Sequence, residues 1–206
     1  MAQAETIRSM LQQGKGRIAK GRVEAVAALV TAQPGRAHRL MECLWDEDPG
    51  VANRAAHALE LFTRERLACP IEILNEWKSP LLGLMAEAKE NKLCWHLALI
   101  VPRLTLDAAE CRRATEVLRA WAEAGAEDSP VAGSRGGSSI VRTMAMQGMA
   151  DLTRQHPGLL PEVFDLLRIH GRSGTPAMRA RARILLAKLE AAGARGRKPK
   201  PVEPGG

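Results

Sequence analysis

The sequence predicts an all-α chain, built as an α-solenoid of about five antiparallel helical hairpins. Three observations point there. An apolar stripe at relative positions 0, +4, +7, +8 and +11 recurs along the chain, the spacing of one face of a helix. There is no Tyr and there are only two Phe, whereas strands favour aromatics. Pro, Gly and Asp punctuate the intervals between stripes, as helix starts and stops require.

In chain order, the first helix is expected over Ala4–Gln13, with Ile7, Met10 and Leu11 on one face, closed by Gly14-Lys15-Gly16. Helices follow over Arg22–Thr31 and Ala37–Trp45, on either side of a break at Pro34-Gly35. Asp48 is placed to accept from the free N–H groups of the next helix, and Pro49 stands where no N–H is missed. Val51, Ala55, Ala58, Leu59 and Phe62 form its inward stripe.

Pro70–Trp77 and Pro80–Ala88 read as two short helices or as one broken at Ser79-Pro80. Asn91 is expected to cap a helix carrying Leu93, Leu97, Ile100, Val101 and Leu104, which Pro102 bends or ends. Asp107 opens a long helix to about Ala124. Residues 125–137 read as a loop rich in Gly, Ser and Pro. Ser138 or Ser139 caps the helix of Val141, Ala145, Gly148, Met149 and Leu152. A helix over Pro157–Ile169 follows. Ala177–Leu189 then carries Met178, Ala182, Leu185, Leu186 and Leu189. The expected domain is 1–192, and 193–206 is expected to be a disordered basic tail rich in Pro and Gly.

The stripes begin at Arg22 (weakly), Val51, Leu93, Val141 and Met178, spacings of 29, 42, 48 and 37 residues. One hairpin cannot bury its apolar face alone, so neighbours must stack. At this point the residues resemble a known family. Asp48-Pro49-Gly50-Val51 through Ala55-Ala56-His57-Ala58-Leu59 is close to the turn and second helix of HEAT-like (armadillo-type) repeats. Val141-Arg142 and Met178-Arg179 resemble the hydrophobic-Arg pair of that family, while Ala52 and Cys94 depart from it. The resemblance covers about residues 4–190.

It implies that the second helices line a concave face where a protein partner docks. Positions +2, +3 and +6 of each stripe then form the surface, flanked by arginines. The candidate partner-binding residues are Arg54, His57, Trp95, His96, Arg142, Gln147, Arg179, Arg181 and Arg183.

Charge qualifies the reading. The formal net charge is +7, but it sits at the ends. Residues 1–22 carry five Lys/Arg against one acid, and 193–206 carry four against one. Residues 23–128 carry 12 against 17, and 129–192 carry 9 against 4. A basic stripe along the whole body is not implied. No apolar run approaches the ~18 residues of a membrane span. The N-terminal residues lack the apolar core of a secretory signal, so the expected compartment is the cytoplasm and no membrane is expected as partner. Cys43, Cys69, Cys94 and Cys111 have no C-x-x-C pairing and read as buried thiols.

Candidate chemistry is sparse. Trp95-His96 reads either as a recognition aromatic beside a titratable group, or as a packed Trp beside a solvated His. His57 and Glu60 lie three apart on one helix face, a spacing open to two metal ligands or to a surface hydrogen bond. Gly133–Ser139 leads into a helix start that can hold an anion or act as a flexible, serine-capped loop. Arg179, Arg181 and Arg183 serve phosphates or acidic groups, or form a charged outer face. Trp45, Trp77 and Trp121 read as core.

The expected function is a non-catalytic scaffold without cofactor or metal. The alternative is nucleic-acid binding through the basic termini and last repeat. Beyond that lies a resemblance to HEAT-like DNA alkylation-repair glycosylases, with Trp95 and Arg142 in role and Asp151 too late in its helix.

Overall fold

The computed structural model describes residues 6–13, 22–64, 71–124 and 138–196. Among the described residues every regular element is helical. The α-helices are α1 (Ile7–Gln12), α2 (Val23–Ala32), α3 (Ala37–Glu42), α4 (Pro49–Arg64), α5 (Ile71–Glu76) and α6 (Lys78–Glu87), followed by α7 (Asn91–Ile100), α8 (Ala108–Glu123), α9 (Ser139–Leu152), α10 (Leu160–Ser173) and α11 (Pro176–Gly196). Short 3-10 turns cover Pro34–Arg36, Cys43–Trp45, Val101–Arg103 and Pro157–Leu159. Three of the four hold a proline in their first two positions, where a missing N–H leaves no bond unmade.

The starts are written in side chains. Asp48 Oδ1 accepts from the Gly50 N–H at 2.7 Å as α4 begins at Pro49. Asp107 builds a capping box on α8. Its carboxylate accepts from the Ala109 and Glu110 N–H groups at 2.8 and 2.9 Å, while Glu110 accepts from the Asp107 N–H at 2.8 Å. Ser138 Oγ accepts from the Ile140 N–H at the head of α9. In front of α7 the cap position is Glu90 rather than the expected Asn91, and no side chain closes it.

Two further boundaries, the start of α6 and the end of α11, differ from expectation, whereas Pro102 ends α7 as expected. The break near Pro80 falls at Trp77, and α6 begins at Lys78. Pro80 is therefore in the first turn, where N–H groups have no partner inside the helix. Pro102 coincides with the change from α7 to a 3-10 turn. The last helix runs on to Gly196, because its alanines favour helix strongly enough to carry it across Gly193, a penalty of about 1 kcal/mol. Residues 197–206 of the expected tail, the loop at 125–137 and Cys69 lie outside the described residues.

The stripes are the core. Val51, Ala55, Ala58, Leu59 and Phe62 are all buried, as are Val141, Ala145, Gly148, Met149 and Leu152. Leu97, Ile100, Val101 and Leu104, and Met178, Ala182 and Leu185, join them. In the fold α4 packs on α7, α7 on α9 and α9 on α11, so four helices lie in succession. Others back the row: α2 on α4, α8 on α9 and α10 on α11, with α6 touching both α7 and α8. At Gly148 the α7 and α9 backbones approach so closely that a Cβ would sit 2.4 Å from the Ala98 carbonyl oxygen.

Trp45 is not core. It closes a 3-10 turn with 47% of its surface exposed, and its ring lies 6.3 Å from that of Trp77. Trp77 and Trp121 are half-buried against the core. Cys43, Cys94 and Cys111 are buried free thiols. Burial pushes the Cys43 and Cys94 thiols up to about 11, which keeps them protonated and poorly nucleophilic. Among the described residues no helix is long and apolar enough to cross a membrane.

Candidate interaction face

The row α4, α7, α9, α11 carries most of the expected site residues, and its first junction is aromatic. His57 on α4 stacks on His96 of α7 with ring centroids 5.0 Å apart, and the Trp95 ring lies 4.0 Å from His96. His96 is only 3% exposed, so it is neither solvated nor presented to a partner. Desolvation, with His57 second, pulls its pKa down to about 3, and its buried Nδ1 has no hydrogen-bond partner among the described residues. His57 and Trp95 are half-buried and form the outward part of this cluster.

One turn further along α4, Glu60 is buried to 2% exposure. Its carboxylate accepts from Arg103 at 2.7 Å on one oxygen and from Arg64 at 2.7 Å on the other. Arg103 also donates to the Glu60 carbonyl and to Thr63 Oγ1, so one guanidinium ties the turn after α7 to the end of α4. Burial alone would raise the Glu60 carboxyl, but the bonds from Arg64 and Arg103 outweigh it and hold it below the usual range. Glu60 is thus turned to two arginines rather than paired with His57 as a ligand set. Among the described residues no group of three or more His, Cys, Asp or Glu is placed to hold a metal.

The expected arginines are largely engaged within the fold. Arg54 Nε donates to the Leu11 carbonyl in the last turn of α1. Arg142 Nε donates to the Ala122 carbonyl in the last turn of α8, at 2.9 Å. Arg179 donates to the Gly174 carbonyl at 2.7 Å, just after α10. Arg54 and Arg142 place a cation where a helix end leaves carbonyls unsatisfied and the dipole is negative. Arg183 is exposed and makes no ion pair among the described residues.

At the other end of the row, Gln147 bridges two helices. Its Nε2 donates to Asp151 at 2.9 Å and its Oε1 accepts from Arg181 of α11 at 3.2 Å. This bridge borders a cleft of about 890 Å³ between α9, α10 and α11. A second cleft, of about 800 Å³, lies beside α1 and α3, where Arg8 pairs with Asp46 and Arg39 with Glu42.

The sequence reading put Trp95, His96, His57, Gln147 and Arg181 on one surface; the structure brings the first three to one place and Gln147 with Arg181 to another. It missed Arg103 as the partner of Glu60, 43 positions away, because no local pattern marks such a pair. It also missed Gln155, whose Nε2 donates to the Pro102 and Leu104 carbonyls while its Oε1 accepts from the Leu106 N–H. That clamp joins the end of α9 to the α7–α8 connection. The i, i+4 spacing of Gln147 and Asp151 was a readable signal for their bond.

No family model matches the sequence, and no curated protein matches it. Among solved structures, the fold is similar to a crystal structure of an engineered protein, a Northeast Structural Genomics Consortium target. The two share 12% identity at a TM-score of 0.54, over 90% of this chain and 79% of that one. At that identity, the likeness is one of fold alone.

Proposed function

We propose that the chain is a non-catalytic, cytoplasmic interaction protein: a HEAT-like α-solenoid of about five hairpins that binds a partner protein along the row of second helices. The observation carrying this reading is the succession α4, α7, α9, α11, each packed on the next and each with a buried apolar stripe. Such a row presents equivalent outward positions side by side, which suits an extended partner. Free buried thiols agree with a reducing compartment.

The test is a pulldown from native cytoplasm with the full chain as bait, with and without nuclease. One protein retained after nuclease, and lost from a Trp95→Ala/Arg181→Glu variant that keeps its melting temperature, is the expected result. Recovery of no protein after nuclease treatment rejects the scaffold.

A second reading, nucleic-acid binding, draws on Arg183 and Lys188, exposed cations on α11 without ion pairs among the described residues. It requires affinity to fall by orders of magnitude between about 50 and 200 mM salt.

A further inference from the structure

We infer that the cleft between α9, α10 and α11 docks an amphipathic helix of the partner protein, one whose apolar stripe is flanked by acidic residues. This deepens the interaction reading above and rests on it. The cleft's about 890 Å³ is room for several apolar side chains of a partner. Its floor is aliphatic: Leu160 from the first turn of α10, and Leu185 and Leu189 from one face of α11. Leu185 and Leu189 are one helical turn apart, the repeat at which anchors of a groove-bound helix recur.

The rim is cationic. Arg154 has a side chain 71% exposed, and Lys188 is exposed with no ion pair among the described residues. The lining carboxylate, Asp151, accepts from Gln147 and faces Arg154 at 3.8 Å, so Lys188 is the cation of the lining left without a carboxylate among the described residues. Residues 138–193 carry eight Lys/Arg against four Asp/Glu, so the surrounding field has the same sign as the rim. An apolar floor inside such a rim attracts an acid-flanked helix and repels a basic one. Nucleic acid fits less well, because the described lining holds no aromatic side chain on which a base can stack. In the cleft beside α1 and α3, Arg8 and Arg39 are each paired with a carboxylate at its wall, which leaves Arg36 as the surplus cation there.

The test uses the full chain and a fluorescein-labelled, lactam-stapled peptide of roughly 18 residues. The peptide carries Leu along one face and Glu on both flanks, and binding is read by anisotropy. Wild type is expected to bind it, and to bind a Lys-flanked counterpart at least about tenfold more weakly. Arg154→Glu/Lys188→Glu, two exposed positions that leave the core intact, is expected to weaken the acidic peptide by about tenfold or more and to improve the basic one. Leu189→Gln, with an unchanged circular dichroism spectrum, is expected to weaken both.

Absence of binding, equal affinity for the two peptides, indifference to the double variant, or displacement by an oligonucleotide each overturns the proposal. If the peptide fails while the pulldown retains a protein, this inference falls and the scaffold stands. If the pulldown yields none, the scaffold itself falls.

Discussion

At His96 two costs of a buried imidazole meet: lost hydration of the charged ring and an unmet hydrogen bond at Nδ1. Its folded pKa of about 3 lies below the ordinary 6.5, so between those values the unfolded chain binds more protons than the folded one. Stability therefore rises with pH through this window; the contribution is complete above about 6.5 and is lost as pH falls toward 3. His170, also pulled down by burial, acts in the same direction. Glu60 is held below 4.5 by its arginines, so its contribution is lost only at lower pH, and the range between about 5 and 6.5 isolates the histidines. Urea unfolding should show stability falling across that range, by up to about 1.4 kcal/mol per pH unit for each such histidine. His96→Gln should flatten the slope, whatever it does to stability at pH 7. An unchanged slope in the variant would mean that His96 is hydrated or protonated in the fold.

Between helices, the decisive quantity is how closely two backbones approach. Gly148 sits on the buried stripe of α9, where a Cβ would lie 2.4 Å from the Ala98 carbonyl oxygen and 3.2 Å from the Leu118 methyls. Gly148→Ala should therefore cost about 1–3 kcal/mol by forcing α7 and α9 apart, despite alanine's better helix propensity. Gly83 in α6 meets nothing within 4 Å, and Gly83→Ala should stabilise by roughly 0.5–1 kcal/mol. Paired thermal melts give the comparison, and a neutral Gly148→Ala would contradict the close approach. The sequence showed Gly148 as a stripe position but not as an obligatory glycine, since the clash comes from a carbonyl 50 positions away in the chain. The arginines carry the same lesson. Their charge and helical positions were legible, but Arg54 and Arg142 turn to helix-end carbonyls 43 and 20 positions away, which no local spacing identifies.

Across the molecule, α7 and α9 each have helices on both sides in the row, whereas α1 lies outside it and α11 ends it. If stability is shared through nearest neighbours, amide exchange should be slowest in α7 and α9 and fastest toward α1 and the end of α11. Uniform protection, measured by hydrogen exchange with mass spectrometry, would instead mark one indivisible core. The all-helical character was readable in advance because stripe, cap and turn are local: Asp48-Pro49, Asp107 and the five-position apolar pattern act over one to three turns, within reach of sequence. Trp45 was misplaced for the opposite reason. Its spacing matches the core face of α3, but the chain tightens into a 3-10 turn there and leaves the ring 47% exposed. The sequence by itself determined that the chain is helical, the capped starts of α4, α8 and α9, the buried stripes and how the charge divides along the chain, because these depend on neighbours a few turns apart at most. Only the tertiary structure decided that His96 is buried, that Glu60 lies between Arg64 and Arg103, and that α9, α10 and α11 enclose an aliphatic cleft. Those features depend on side chains brought together from distant parts of the chain, and packing rather than periodicity sets their distances.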